Sequence, residues 1–357
     1  MGHRIFITGA AGYIGFMLVE QFAKRADVET IIALDKEPMP EGFAQNKKVV
    51  WVTANTADED KWWSVVEKHT PTVVVHAAWQ IREIYANRPL TWKWNIDGSD
   101  KVFDFVFTQS KVQRLVYFST VASYGAFEDN SVEHRYREDE PFRKSEYLYA
   151  EEKRVVEEHL KERYEKRANK DVSVAIIRPA AITGPRGRFM RIRFGLQAAL
   201  SGMLEKSFVE RLISNLVSFV PVTPTWLRQF IHEDDVVGIV ERLVFGEPVK
   251  GYEVFNICPP GPVVRGNDMA SAVGKRVLPV SPWMVRTAFF LFWHLTRGKV
   301  PTSPGAWRGY SYPIAVDGSK VTKKLGYVYK YEGYNAFKYT NGEYERFVPE
   351  AARRHNV

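Results

Sequence analysis

The 357-residue chain holds a single cysteine, Cys258, and that scarcity narrows its chemistry at once. One thiol excludes an intramolecular disulfide and a cysteine-cluster zinc site, so Cys258 is expected to be a small buried apolar side chain in a reducing compartment. Long hydrophobic runs are missing as well. No apolar stretch reaches the roughly 18 residues of a spanning helix, so no integral membrane span is expected. A signal-peptide layout is also lacking: the first residues lead straight into an apolar strand, which points to a cytoplasmic protein. Neither an internal repeat nor a low-complexity tract stands out. The net charge is +8, yet acids and bases interleave from Glu151 to Lys170 as on a solvated helix face, so nucleic acid is not an expected partner. Hydrophobic residues make up 45% of the sequence, which suits a well-buried core in a chain long enough for two domains.

What is present starts at Arg4. The apolar run Ile5-Phe6-Ile7 leads into glycines at 9, 12 and 15, and helix-forming residues follow from Tyr13 to Lys24. A buried strand followed by a tight Gly-rich turn leaves backbone N–H groups free at a helix N-terminus, a ready site for a pyrophosphate. Gly9 permits the turn, Gly12 lets backbone approach the phosphates, and Gly15 lets helix and strand pack closely. Ala11, Tyr13 and Ile14 complete that turn. Twenty residues after Gly15 the next strand, Ile31 to Leu34, ends in Asp35, where an acid can accept hydrogen bonds from an adenosine ribose.

Apolar, β-branched runs recur at Ile5–Thr8, Thr30–Leu34, Val49–Thr53, Thr72–His76, Leu115–Ser119 and Val172–Arg178, with helix-like stretches between most of them. That alternation predicts an α/β, doubly wound parallel-sheet Rossmann fold covered on both faces. Ligands of such sheets sit outside the carboxyl ends of the strands, where Gly9, Asp35, His76 and Ser119 all fall. After Pro179 the rhythm breaks. Residues 1–180 are therefore expected to form the dinucleotide-binding domain and 181–357 mainly a smaller substrate-binding part, with 229–258 returning to the first.

Several motifs, in order, carry a resemblance. The turn Thr8-Gly-x-x-Gly-x-x-Gly15 is followed by His76-Ala77-Ala78, by Asn95-Ile-Asp-Gly-Ser99 and by Phe118-Ser-Thr-Val-Ala-Ser-Tyr-Gly125. Then come Tyr149-Ala-Glu-Glu-Lys153, Arg178-Pro-Ala-Ala-Ile-Thr-Gly-Pro185 and Arg228-Gln-Phe-Ile-His-Glu-Asp-Asp-Val236. From residue 3 to about 260 this order resembles the NAD-dependent epimerase/dehydratase family, the extended branch of the short-chain dehydrogenase/reductase superfamily. The resemblance implies NAD as cofactor. It places Gly9, Ala11, Gly12, Tyr13, Ile14, Gly15, Asp35, Asn55, His76, Ala77, Ala78, Asn95, Ser119, Tyr149, Lys153 and Pro179 beside that cofactor. It implies Thr120, Tyr149 and Lys153 as the catalytic trio, with Thr120 taking the catalytic Ser/Thr position and Ser119 facing the cofactor.

Tyr149 and Lys153 are four apart and share one helix face. A phenol titrates near about 10 in water, so a nearby ammonium is expected to favour the phenolate and let Tyr149 take a hydroxyl proton. The implied reaction is oxidation of a secondary alcohol to a transient ketone. Dehydratases of the family carry an Asp-Glu pair after the catalytic Thr; Val121 and Ala122 stand here and cannot move a proton, which leaves nucleotide-sugar 4-epimerisation as the favoured activity. Thr120 and Tyr149 would hold the substrate together with Arg228, which matches an arginine many relatives use on the diphosphate. Arg188, within the acid-free run Arg186 to Arg193, is a further phosphate-binding candidate. Ala181 stands where those enzymes usually have Asn. That departure keeps a second reading open, a reductase or dehydrogenase of a hydroxysteroid- or dihydroflavonol-like alcohol. A non-catalytic dinucleotide sensor is a third, which the intact trio argues against. His232, Asp234 and Asp235 are read as capping and core groups, and no metal is assigned. The aromatic segment 281–295 is expected to pack in the substrate domain, with an in-plane membrane contact as the alternative. A small molecule is the expected partner, and a homodimer is left open.

Overall fold

A computed structural model describes residues 2–189, 219–272, 276–339, 341–348 and 350. Seven strands form one parallel sheet: β1 (His3–Thr8), β2 (Val28–Asp35), β3 (Val49–Thr53), β4 (Val73–His76), β5 (Arg114–Phe118), β6 (Ser173–Pro179) and, beyond a run of short strands, Tyr252–Ile257. In space the order is β3-β2-β1-β4-β5-β6 and then Tyr252–Ile257 at the far edge, every neighbour parallel. The strand order changes sense between β1 and β4, the crevice where such sheets bind ligands.

Both faces are buried because alternate residues of each strand serve opposite layers. Ile5, Ile7, Ile31, Ala33, Val75, Val116 and Ile177 face one way, against α1 (Tyr13–Ala23) and the helix Glu233–Phe245. Phe6, Ile32, Val74, Leu115, Tyr117, Val174 and Ile176 face the other, against α4 (Gly98–Thr108) and α5 (Leu148–Lys166); the shorter α2 (Trp63–Lys68) and α3 (Arg88–Trp92) lie between β3 and α4 in the chain. α1 buries Ile14, Met17, Leu18 and Phe22 along one stripe, and α5 buries Val156 and Leu160 below Lys153.

Strand register lines up the functional ends. Thr8 pairs with Leu34 on one side and His76 on the other, His76 pairs with Tyr117, and Phe118 pairs with Ile177. The Gly-rich turn, Asp35, the loop after His76 and the Ser119-Thr120 corner therefore open on one rim. Cys258 is buried directly after the last strand, and burial pushes its thiol up to about 12, so it is an inert core group. The segment Pro282–Leu295 is a helix, and no helix among the described residues is long and apolar enough to cross a membrane.

Candidate active site

The turn after β1 admits nothing larger than glycine at positions 9 and 15. Gly9 has φ +73°, and a Cβ there would lie 2.7 Å from the backbone of Ala78; a Cβ on Gly15 would lie 2.0 Å from the Gly9 carbonyl oxygen. The turn is therefore pressed against the Ala77-Ala78 loop on one side and the start of α1 on the other. Asp35 braces it from β2: one carboxylate oxygen accepts from the Ala11 N–H at 2.9 Å and the other from Glu37 N–H at 3.0 Å. Lys36, its neighbour, donates to Gln80 Oε1 at 3.3 Å and lies over the Trp94 ring at 4.7 Å. Asn55 closes its own turn by accepting from Ala57 N–H at 2.9 Å.

Three of the expected cofactor residues turn their side chains into supporting contacts. His76 is held between Thr8 Oγ1 (2.7 Å from Nδ1) and Ser99 Oγ (2.9 Å from Nε2) and stacks on Tyr117. Burial, and then the Lys153 charge, bring its pKa down to about 3, so the ring is neutral. Asn95 accepts from Gln80 N–H and donates to both the Gln80 carbonyl (3.0 Å) and Glu152 Oε2 (2.7 Å), fastening the 77–80 loop to α5. The Tyr13 hydroxyl donates to Glu233, whose carboxylate also accepts from Arg186 and Gly187 N–H at 3.1 and 2.9 Å. These residues shape the rim, and Ala77, Ala78, Ile14 and Pro179 contribute to it through the backbone path they fix.

The trio meets at the ends of β5 and α5. Thr120 caps the short turn Val121–Tyr124 by accepting from Ala122 N–H at 3.2 Å, and its side chain also hydrogen-bonds the Tyr149 hydroxyl. Burial raises the Tyr149 pKa and the Thr120 hydrogen bond opposes that rise. Lys153 is held from two sides. Its ammonium donates to the Phe118 carbonyl and lies 3.5 Å from the centre of the Trp79 ring. Burial lowers the Lys153 pKa well below the usual lysine range, against the pull of Glu157 and Glu152. Thr120 favours the Tyr149 phenolate in this geometry.

Trp79 was not singled out by the sequence, although it directly follows His76-Ala-Ala. It covers Lys153, stands edge-on to Tyr149 at 6.4 Å, and its indole Nε1 is buried without a hydrogen-bond partner. The Ser119 hydroxyl is likewise buried and unpartnered. Two unsatisfied polar groups after the neighbouring strands β4 and β5 mark a place where a ligand supplies the missing hydrogen bonds.

Arg228 ends the short strand Leu227–Arg228, paired antiparallel with Val264–Arg265. Its guanidinium lies 5.8 Å from the Tyr310 ring and 6.0 Å from that of Trp226, with Tyr147 also close enough to act on its charge. No carboxylate pairs with it among the described residues. Ala181 begins the strand Ala181–Thr183 and is exposed. The Arg188 side chain, with Arg191 and Arg193, lies outside the described residues. His232 Nδ1 accepts from Asp234 N–H at 3.2 Å to cap the helix Glu233–Phe245, and Asp235 accepts from Tyr327, Lys330 and Tyr331. These are capping and joining contacts, and the described residues contain no cluster of three metal-ligating side chains.

A parallel seven-stranded sheet with a glycine cradle at its switch point, and a Thr-Tyr-Lys group beside it, defines a dinucleotide-dependent enzyme of the extended short-chain dehydrogenase/reductase type. The chain belongs to the NAD dependent epimerase/dehydratase family, whose profile matches residues 5–258. A search of the curated proteins found no relative by sequence. Among solved structures the chain is similar to dTDP-glucose 4,6-dehydratase from Bacillus anthracis in complex with NAD, at 15% identity and TM-score 0.63 over 93% of this chain and 94% of that one. It is also similar to the UDP-glucose 4-epimerase of Thermus thermophilus in complex with NAD (20% identity, TM-score 0.63, 94% and 97% covered). A third likeness is to the UDP-glucose 4-epimerase of Thermotoga maritima with UDP-glucose (19% identity, TM-score 0.63, 94% and 97% covered).

Proposed function

We propose that this enzyme binds NAD and inverts a secondary alcohol of a nucleoside-diphosphate sugar, acting as a 4-epimerase. The observation that carries the substrate class is Arg228. A guanidinium sunk among Trp226, Tyr310 and Tyr147 without a carboxylate partner is a costly arrangement unless an anion completes it. A diphosphate supplies that anion with paired oxygens that fit the guanidinium fork.

The residues present fit the cofactor. The glycine turn admits no Cβ at Gly9 or Gly15, Asp35 stands at the next strand end, and Ser119 Oγ waits for a partner. These groups, with Lys153, would hold NAD, which would supply a reversible hydride acceptor for the alcohol carbon. Tyr149 Oη takes the hydroxyl proton and gives it back to the same oxygen after the ketone has turned its other face. Thr120 assists through its hydrogen bond with Tyr149, which favours the phenolate, and its Oγ1 also accepts from Ala122 N–H. Val121 and Ala122 offer no acid or base for elimination, which separates this site from a dehydratase site. Asp35 accepts ribose hydroxyls and repels a 2′-phosphate, so NAD(H) is favoured over NADP(H).

The competing reading is a dehydrogenase of an apolar alcohol, favoured by Ala181 and by the aromatic rings around Arg228. Thermal-shift screening of UDP-, GDP- and dTDP-sugars with NAD⁺ decides between them. Stabilisation by a nucleotide sugar that is lost in Arg228→Ala supports the proposal. Stabilisation by sterol- or flavonol-like alcohols and by none of the sugars overturns it.

A further inference from the structure

We propose that the helix Pro282–Leu295 docks this protein in the headgroup plane of an anionic lipid bilayer. The helix presents apolar residues to both sides at once. Phe289 and Trp293 are buried: Phe289 packs on Tyr310 with ring centroids 5.2 Å apart, and Trp293 packs on Tyr85 at 5.4 Å. The Tyr85 hydroxyl also meets His294 Nδ1 at 3.2 Å. The helix is thus anchored to the body of the protein along one stripe.

The opposite stripe is uncovered. Trp283 is 68% exposed, Met284 44%, Phe290 61%, Leu291 49% and Leu295 78%. Trp283 and Phe290, and Met284 and Leu291, are two turns apart, and Leu295 follows Leu291 by four, so the five share one face. Single exposed apolar residues need no explanation, but five contiguous ones, a tryptophan among them, mark a contact surface. With 14 residues the helix cannot span a bilayer, whereas an amphipathic helix of this kind lies within the interface.

Charge identifies the occupant. Between Asp268 and Asp317 the sequence contains no acidic residue. Arg276, Arg286, Arg297 and Lys299 are exposed there, and no carboxylate among the described residues pairs with Arg286, Arg297 or Lys299. A second copy of the chain docking through the same face would bring these like charges together. An anionic lipid surface neutralises them while the apolar stripe enters the acyl boundary, with Trp283 at the headgroup level.

Co-sedimentation of the full chain with vesicles of phosphatidylcholine, alone or mixed with phosphatidylglycerol, tests this. The protein should pellet with the mixed vesicles, less so at high salt, and far less with phosphatidylcholine alone. The combined variant Trp283→Ser, Phe290→Ser, Leu295→Ser should lower partitioning at least about tenfold, as should Arg286→Glu with Lys299→Glu. All five substituted side chains are exposed, so melting temperatures should stay near that of the unaltered protein. Failure of the unaltered protein to bind mixed vesicles overturns the proposal, as does binding that neither variant weakens or that needs no anionic lipid. A dimer in solution that the serine variant dissociates would assign the face to a second copy and overturn it equally.

Discussion

Replacing Thr120 should move the acidic limb of the pH–rate profile, and the structure fixes both sign and size. Its side chain makes two hydrogen bonds, one from Ala122 N–H at 3.2 Å and one with the Tyr149 hydroxyl. Burial raises the Tyr149 pKa and the second bond opposes the rise, because a donor to the phenolate favours the charged form. Thr120→Val removes that donor, so the Tyr149 pKa rises further and the limb moves to higher pH. Hydrogen bonds to charged groups are worth roughly 1.5–3 kcal/mol, and one pKa unit is about 1.36 kcal/mol, so the limb should move up by about one to two units. Valine also abandons the cap of the 121–124 turn, at a stability cost of roughly 1 kcal/mol that a melting curve reads separately. Thr120→Ser keeps both bonds and should leave the limb in place. The assay is kcat/KM against pH for the nucleotide sugar turned over, in all three proteins. An unmoved limb in Thr120→Val, or an equal movement in Thr120→Ser, would refute the reasoning.

Tyr149→Phe removes only the proton-transferring oxygen from a ring already packed beside Trp79 and Tyr147; turnover should fall roughly 10²–10⁴-fold while the NAD dissociation constant, read by calorimetry, stays nearly unchanged. Asp35→Asn replaces one of two acceptors by an amide N–H facing backbone donors, so NAD affinity should drop and the preference over NADP shrink; titration with both cofactors measures this, and an intact preference would contradict it. Glu152 is an acid whose pKa burial raises to about 7, opposed by its Asn95 hydrogen bond. Its proton is held more tightly folded than unfolded, so stability is greatest below the unfolded pKa of about 4.5 and falls as pH rises through about 7. Glu152→Gln mimics the protonated form and should remove that fall, leaving the variant more stable by about 3 kcal/mol above pH 7 in denaturant titrations, an order-of-magnitude figure.

Strands and cofactor turn were legible because both are written locally. β-branched runs at regular spacing mark a parallel sheet, and Gly9, Gly12 and Gly15 mark a turn whose sterics need only neighbours in sequence. What the sequence concealed depends on residues far apart. Nothing near Arg228 announces that Tyr147 and Tyr310 will surround it. Tyr13 and Glu233 are joined across 220 positions. The partners of the Lys153 ammonium were also hidden: helical spacing puts it on the face of Tyr149, and the Phe118 carbonyl and the Trp79 ring, two partners on other elements, hold it at the strand end. His76 shows the same limit from the other side, since its place in the chain is beside the rim while its ring is fully used by Thr8 and Ser99.

Tyr310 joins the two surfaces of the C-terminal part. Its ring is 5.8 Å from the Arg228 guanidinium and 5.2 Å from Phe289, on the anchored side of the helix Pro282–Leu295. The helix therefore stands on the same aromatic layer that walls the buried arginine, with Trp283 and Leu295 turned away from it. Stripping the outer face leaves that layer untouched, whereas a change at Arg228 leaves the outer face untouched. Lipid attachment and nucleotide-sugar recognition can thus be removed one at a time, and either can fail on its own evidence without carrying the other with it.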